Sequence, residues 1–200
     1  MKYFSLLSKY SALFPKFLSI DFLRAIDYIK TVAVGLKLRL TAGYEKKERY
    51  YLDRAKKAEE LFKGGCNCCQ AVFCAFLEET SLTQEEALRL SAGFGGGFGR
   101  LREVCGAVSG MTMVLSNKFA CADPNNHEKK AELYSLIQQA AGEFREENGS
   151  IICRELLGLS EKSSSPNPEE RTKEYYKKRP CAELVRCAAE IAEKYLDNEE

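Results

Sequence analysis

The chain has 200 residues, 45% of them hydrophobic and 30% charged, which is the balance of one ordinary soluble domain with room for a single core. Its 30 basic residues nearly cancel 29 acidic ones, so no overall field favours nucleic acid, and no nucleic acid is expected among its partners. Nine cysteines are an odd number. They cannot all pair within the chain, which points away from a disulfide framework.

Residues 1 to 45 read as an amphipathic helical extension and residues 46 to 200 as the main domain. Within residues 1 to 40, seven Lys or Arg face only Asp21 and Asp27, a net +5 that leaves −4 for the rest. Leu6, Tyr10, Leu13, Phe14 and Phe17 follow helical spacing, Pro15 interrupts it, and Phe22, Ile26, Ile29, Ala33, Leu36 and Leu40 resume it. Such stripes ordinarily pack on a core or on another subunit, here a second copy in a homodimer. Membrane association through the basic faces is the sharper alternative. Lys2, Lys9 and Lys16 break any apolar run of signal-peptide type, so a cytoplasmic location is expected. No stretch is long and apolar enough for a spanning helix. A reducing cytoplasm keeps thiols available as ligands or redox centres.

The main domain reads as all-α, a compact helical bundle with a glycine-rich loop inserted in it, since no strand-like alternation occurs. A helical pattern from about Glu45 to Phe62 stops at Gly64 and Gly65, and a second runs from about Asn67 to Glu79. Thr83 with Glu86 forms a capping box for a short helix ending near Ser91. The segment Gly93-Phe94-Gly95-Gly96-Gly97-Phe98-Gly99 then leads into a helix from about Val104 to Phe119. Asp123 as N-cap and Pro124 at the first helical position open a helix whose apolar face carries Leu133, Leu136, Ile137, Ala140, Ala141 and Phe144, with Gly149 after its end. A short helix around Cys153 to Leu157, a polar loop from Ser160 to Pro168 and a last helix introduced by Pro180 complete the chain.

Four cysteines share a placement. Cys68 follows Gly64 and Gly65, Cys105 follows the glycine loop, Cys153 follows Gly149, and Cys181 follows Pro180. Each falls at a predicted helix start, where unpaired N–H groups and the helix dipole favour thiolate, the form that attacks and that binds metal. Lowered thiol pKa values are therefore expected at all four. Cys181 lies in line with Leu184, Val185, Ala188, Ile191, Ala192 and Tyr195, whereas Cys187 sits about 100° from that stripe. Gly106 and Gly110 line one face of the helix after Cys105, which admits either a close helix crossing or a buried cofactor.

Cys74 and Cys121 read as buried small hydrophobes. Cys66 and Cys69 form a C-x-x-C pair, but Gln70 stands where haem attachment requires histidine, and no second close pair completes a zinc knuckle. The glycine segment is not a dinucleotide fingerprint, because no strand precedes it and Phe98 or Arg100 occupies the third glycine position. Arg100 and Arg102 could hold an anion or offset thiolate charge, although solvent exposure is the commoner fate of such residues. His127, the single histidine, falls in the first turn of an amphipathic helix and is expected to be solvated, which removes histidine triads and His-rich metal sites from consideration.

The segments Asn67-Cys68-Cys69-Gln70-Ala71-Val72, Ser91-Ala92-Gly93-Phe94-Gly95-Gly96-Gly97-Phe98-Gly99-Arg100, Cys105-Gly106-Ala107-Val108-Ser109-Gly110 and Cys153-Arg154-Glu155-Leu156-Leu157-Gly158 closely resemble the redox-active C_GCAxxG_C_C family. The resemblance spans roughly Leu52 to Ala189. It implies four working cysteines, here Cys68, Cys105, Cys153 and Cys181, one of them within the CGAxxG motif at Cys105 to Gly110. It also implies a redox role with an unnamed redox partner, frequent genomic association with transporter genes, which makes a membrane transporter system a candidate partner, and, in haem-carrying relatives, cysteines placed to hold an iron-sulfur cluster. The extra Cys66 and Cys69 and the whole N-terminal extension depart from the family pattern. The leading expectation is a [2Fe-2S] site on the four cysteines, used for electron transfer or sensing. The alternatives are a metal-free thiol/disulfide oxidoreductase using Cys68 with Cys105, and a structural zinc scaffold on the same thiolates.

Overall fold

The computed structural model describes residues 54–160 and 165–197. The helices expected within residues 1 to 45 lie outside that range. Eight helical segments make up the described chain, and no strand occurs among its residues beyond one isolated antiparallel bridge, Val104 to Ile152. The expectation of an all-α fold holds.

Helix α1, described over 54–63, presents Ala55, Ala58 and Phe62 to the core and ends at Gly64 and Gly65. Helix α2 (Cys68–Ala75) begins with a capping box in which Asn67 and Gln70 satisfy each other's backbone N–H groups. It is shorter than its sequence pattern predicts, because Phe76 leaves helical geometry and Leu77–Glu79 continue as a tight 3-10 turn. Helix α3 (Gln84–Ser91) carries the expected box between Thr83 and Glu86.

Helix α4 (Gly106–Phe119) starts two residues later than expected, since Val104 is engaged in the bridge to Ile152. Helix α5 (His127–Asn148) is capped by Asn126, whose side chain accepts from the N–H of Lys129. Asp123 instead closes a turn onto the N–H of Asn125, so the helix opens after the Asp123–Pro124 signal rather than at it. Gly149 ends α5 in the left-handed conformation, as expected. Helices α6 (Cys153–Leu156), α7 (Lys173–Lys178) and α8 (Cys181–Asp197) follow. The sequence pattern predicts nothing at α7, a polar turn capped by Thr172.

Helices α2, α4 and α8 form the centre of the bundle. Six of the eight residues of α2 are buried, and α4 buries Gly106, Ala107, Val108, Gly110, Met111, Val114 and Leu115, so neither has a wide polar face. Helix α8 is amphipathic, with Leu184, Val185, Ala188, Ile191 and Ala192 turned inward. Only Ala140 and Phe144 of the α5 face are fully buried. Among the described residues no helix is long and apolar enough to cross a membrane.

The α2–α4 crossing is close because glycine makes it so. A Cβ on Gly110 would lie 2.8 Å from the carbonyl oxygen of Cys69 and 2.8 Å from Cβ of Val72. One on Gly106 would lie 3.2 Å from Cβ of Cys68. The glycine face therefore admits a neighbouring helix, the plainer of its two readings, and in doing so brings the starts of α2 and α4 together.

Candidate functional site

All four predicted cysteines stand at helix starts. Cys68, Cys153 and Cys181 are the first residues of α2, α6 and α8, and Cys105 is the N-cap residue of α4. Three local devices bring them together. The glycine crossing sets Cys68 beside the start of α4. A backbone ladder joins the residues around Cys105 to those around Cys153, with Cys105 N–H to Ile151 O at 2.8 Å and Cys153 N–H to Glu103 O at 2.7 Å. The third is direct thiol contact, in which Cys68 donates to Cys181, with the Cys105 and Cys153 thiols near enough to act on Cys68 electrostatically.

The expected lowering of all four thiol pKa values is corrected for three of them. Burial pushes Cys105 up to about 12, against the opposing help of the Ala107 and Val108 N–H groups. Burial also raises Cys153, although Arg102 donates toward its Sγ at 3.8 Å. Cys68 is raised well above the ordinary thiol value because its proton is held by Cys181. Cys181 alone is lowered, first by that hydrogen bond and then by the positive charges of Arg179, Arg102 and Arg171. In a crowded set of thiols, desolvation and mutual repulsion outweigh the helix dipole, which acts over one turn.

Cys68, Cys153 and Cys181 open onto a cavity of about 270 Å³. Its described lining includes Arg100, Arg102, Arg171 and Arg179 and a single carboxylate, Glu169. Arg102 is only 3% exposed, and the Arg100 side chain is 17% exposed, so the solvated fate expected for this pair is corrected. The glycine loop is what turns them inward. Arg100 and Arg102 have φ of 71° and 64°, and Phe98 between the glycines has 57°. Side chains rarely adopt this left-handed region, at a cost of about 1–2 kcal/mol per residue. Backbone bonds from Arg100 to Gly95, Arg102 to Gly96 and Glu103 to Gly97 hold the loop in it. Gly97 is irreplaceable in the same turn, since its Cβ would lie 2.8 Å from Cβ of Cys153.

The remaining cysteines are elsewhere. Cys69 points into the core and donates to Met113 Sδ at 3.6 Å, with burial raising its pKa to about 12. Cys66 is half-buried. Cys74 is buried as expected, whereas Cys121 is exposed, because it follows the end of α4 in the turn before α5. Cys187 contacts Glu147 and Asn148 of α5, away from the four. Arg171, Arg179, Glu169 and Tyr175 also line the cavity and carry no sequence motif, although Arg179 is adjacent to Pro180 and Cys181 and its place could be read from that neighbourhood.

No group of three or more His, Cys, Asp or Glu side chains among the described residues is gathered tightly enough to hold a single metal ion. A dinuclear cluster makes a different demand, because its four thiolates are shared between two irons and need not converge on one point. The donor set fits such a group in number and softness, and the guanidiniums around it would balance its negative charge.

A family model described as "Putative redox-active protein (C_GCAxxG_C_C)" matches residues 66–195, a span that contains all four of these cysteines and most of the cavity wall. No curated protein and no solved structure matches the chain.

Proposed function

The chain belongs to the C_GCAxxG_C_C family of redox-active proteins, and on that premise we propose that Cys68, Cys105, Cys153 and Cys181 hold a [2Fe-2S] cluster through which the protein transfers electrons or senses redox state. The observation that carries the reading is the meeting of four helix-start thiols beside a cavity whose described lining holds four arginines and one carboxylate. When bound, a [2Fe-2S] cluster supplies a one-electron couple. Four thiolates ionised together would repel one another in a buried site, on top of the burial that already raises Cys105 and the hydrogen bond to Cys181 that already raises Cys68. Arg102 against Cys153, with Arg179 and Arg171 acting on Cys181, lowers that cost. Cys105, 4% exposed, is shielded from solvent, while Cys68 and Cys181 face the cavity, the direction from which an electron could enter or leave.

The thiol/disulfide alternative finds one supporting contact, but with a different pair. Cys68 shares its proton with Cys181, so a metal-free dithiol would use those two rather than Cys68 and Cys105. Zinc, the other alternative, would draw on the same four thiolates around one ion, and metal analysis of the purified protein distinguishes it from the cluster. On the family resemblance we further propose a cytoplasmic setting, a redox partner that exchanges electrons with the site, and a membrane transporter system as a candidate for that partner.

Anaerobic purification followed by a visible spectrum and by iron, sulfide and zinc analysis tests the proposal. Iron and sulfide in equal amounts with charge-transfer bands are expected. Cys105→Ser, Cys153→Ser and Cys181→Ser should each abolish them, while Cys187→Ser and Cys121→Ser should leave them intact. Full iron content in Cys105→Ser, or a colourless metal-free protein with a reversible disulfide, refutes the cluster.

A further inference from the structure

The cavity beside the thiols is built to receive a carboxylate, and the chain presents one of its own. Nη2 of Arg179 donates to both oxygens of Glu169, at 2.7 and 2.8 Å. The same Glu169 Oε1 lies 3.2 Å from Nη2 of Arg100 and 3.9 Å from Nη2 of Arg102. The three arginine side chains are 17%, 17% and 4% exposed, against 46% for Glu169. The guanidiniums thus belong to the wall, while the carboxylate reaches them from the solvent side.

Two of these arginines are fixed by backbone as well as by side-chain contacts. Arg100 and Arg102 leave the left-handed turn described above, and Nε of Arg100 is tied to Ser165 O at 2.6 Å. Arg171, on the same cavity, is held over the Phe62 ring at 4.6 Å and donates to Phe62 O at 2.6 Å. The receptor is therefore preorganised, and Glu169 shows that its three guanidiniums accept a carboxylate arriving from the solvent side. Leu157, Pro166, Pro168 and the Tyr175 ring give the cavity an apolar side, with Asn67 and the three cysteines completing the polar part of its described lining.

We propose that this cavity binds a small carboxylate with a short apolar chain, which takes the place of Glu169 on Arg100, Arg102 and Arg179 and lies beside Cys153 and Cys181. Glu169 is then an internal competitor, and the apparent affinity of the ligand is reduced by the fraction of molecules in which Glu169 holds the receptor. A guanidinium pairs with carboxylate and phosphate alike, so it is the apolar side of the cavity, Leu157, Pro166, Pro168 and the Tyr175 ring, that sets this ligand apart from a compact inorganic oxyanion. The ligand's head group would touch Arg102, the residue that also touches Cys153, so its arrival would be felt at the thiols.

The test is a titration of butyrate into the full-length protein, followed by ligand-observed NMR, with inorganic phosphate titrated in parallel. Butyrate should bind Glu169→Gln about tenfold more tightly than the unaltered protein, because the internal competitor is gone. It should lose measurable binding to Arg179→Met. Arg179→Lys keeps the charge without the fork, and should bind several-fold more weakly even if the methionine variant fails to fold. Equal or weaker butyrate binding by Glu169→Gln overturns the proposal. So does butyrate binding by Arg179→Lys as strong as by the unaltered protein, or phosphate binding as tight as butyrate. None of these variants removes a cysteine, so metal content measured on the same samples separates the two readings. In the unaltered protein and in Glu169→Gln, intact iron without butyrate binding refutes the carboxylate site alone, and butyrate binding without iron refutes the cluster alone.

Discussion

Gly110→Ala adds one methyl group at the point where α2 and α4 cross, and its effect can be worked out from two contacts. The new Cβ would lie 2.8 Å from Cys69 O and 2.8 Å from Val72 Cβ, where ordinary contact begins at 3.4 Å. Neither neighbour can swing aside, since one is helix backbone and the other is the root of a β-branched side chain. The helices must separate, loosening a centre in which both are buried along most of their length, at a cost of about 1–3 kcal/mol. Helix propensity opposes this with a gain of about 1 kcal/mol for replacing glycine in a helix interior. Gly142→Ala, inside α5, isolates that gain, because nothing lies within 4 Å of its Cβ. Urea denaturation followed by circular dichroism should show Gly142→Ala more stable by up to about 1 kcal/mol. Gly110→Ala should be less stable, with a melting temperature lower by about 2–4 °C for each kcal/mol in a chain of this size. If both alanines stabilise alike, the close crossing is not as drawn here.

Two further substitutions probe separate parts of the molecule. Glu193, 1% exposed, has a carboxyl that burial pushes up to about 8 against the nearby Arg54, with Asp197, Glu78 and Glu79 adding to the rise. Its folded value lies above its unfolded one, so stability is fullest at low pH and falls between about pH 4.5 and 8, by up to about 1.4 kcal/mol per unit. Glu193→Gln should flatten that slope in denaturation midpoints measured from pH 5 to 8.5, and an unchanged slope would place the titration elsewhere. Gly97→Ala places a Cβ 2.8 Å from Cys153 Cβ at a backbone φ of 71°, and should lower both the melting temperature and the iron-to-protein ratio. Retention of both values would mean that the loop does not position Cys153.

Local signals carried the parts of this fold that glycine, proline and capping residues punctuate. The starts of α2, α6 and α8 follow Gly64 and Gly65, Gly149 and Pro180, and those are the places where three of the four cysteines stand. The same reasoning loses its grip where competing caps are close in sequence, as with Asp123 and Asn126, or where a helix is short and polar, as with Lys173–Lys178. The cavity wall was largely hidden for a different reason. Arg171 and Glu169 lie in irregular chain after a polar loop, and only tertiary folding brings them to Arg100 and Cys181. Burial is likewise a tertiary property. The helix-start argument correctly places the thiols, but it cannot register that Cys105 becomes 4% exposed and that burial pushes its pKa up to about 12.

The arginines explain why the glycine loop takes so costly a shape. A loop of relaxed geometry could join α3 to α4, yet this one holds Phe98, Arg100 and Arg102 at positive φ, a strain of several kcal/mol at about 1–2 per residue. Glycine at any of the three positions would relieve its share. What glycine could not supply at 100 and 102 is a guanidinium, and both side chains reach Glu169, with Arg102 also reaching Cys153. A buried arginine needs an anionic partner, and Glu169 supplies one to both side chains of the strained turn. Loop, thiols and carboxylate therefore form one connected unit. In it, a cluster bound by the four thiols and an organic anion in place of Glu169 would draw on the same set of positive charges.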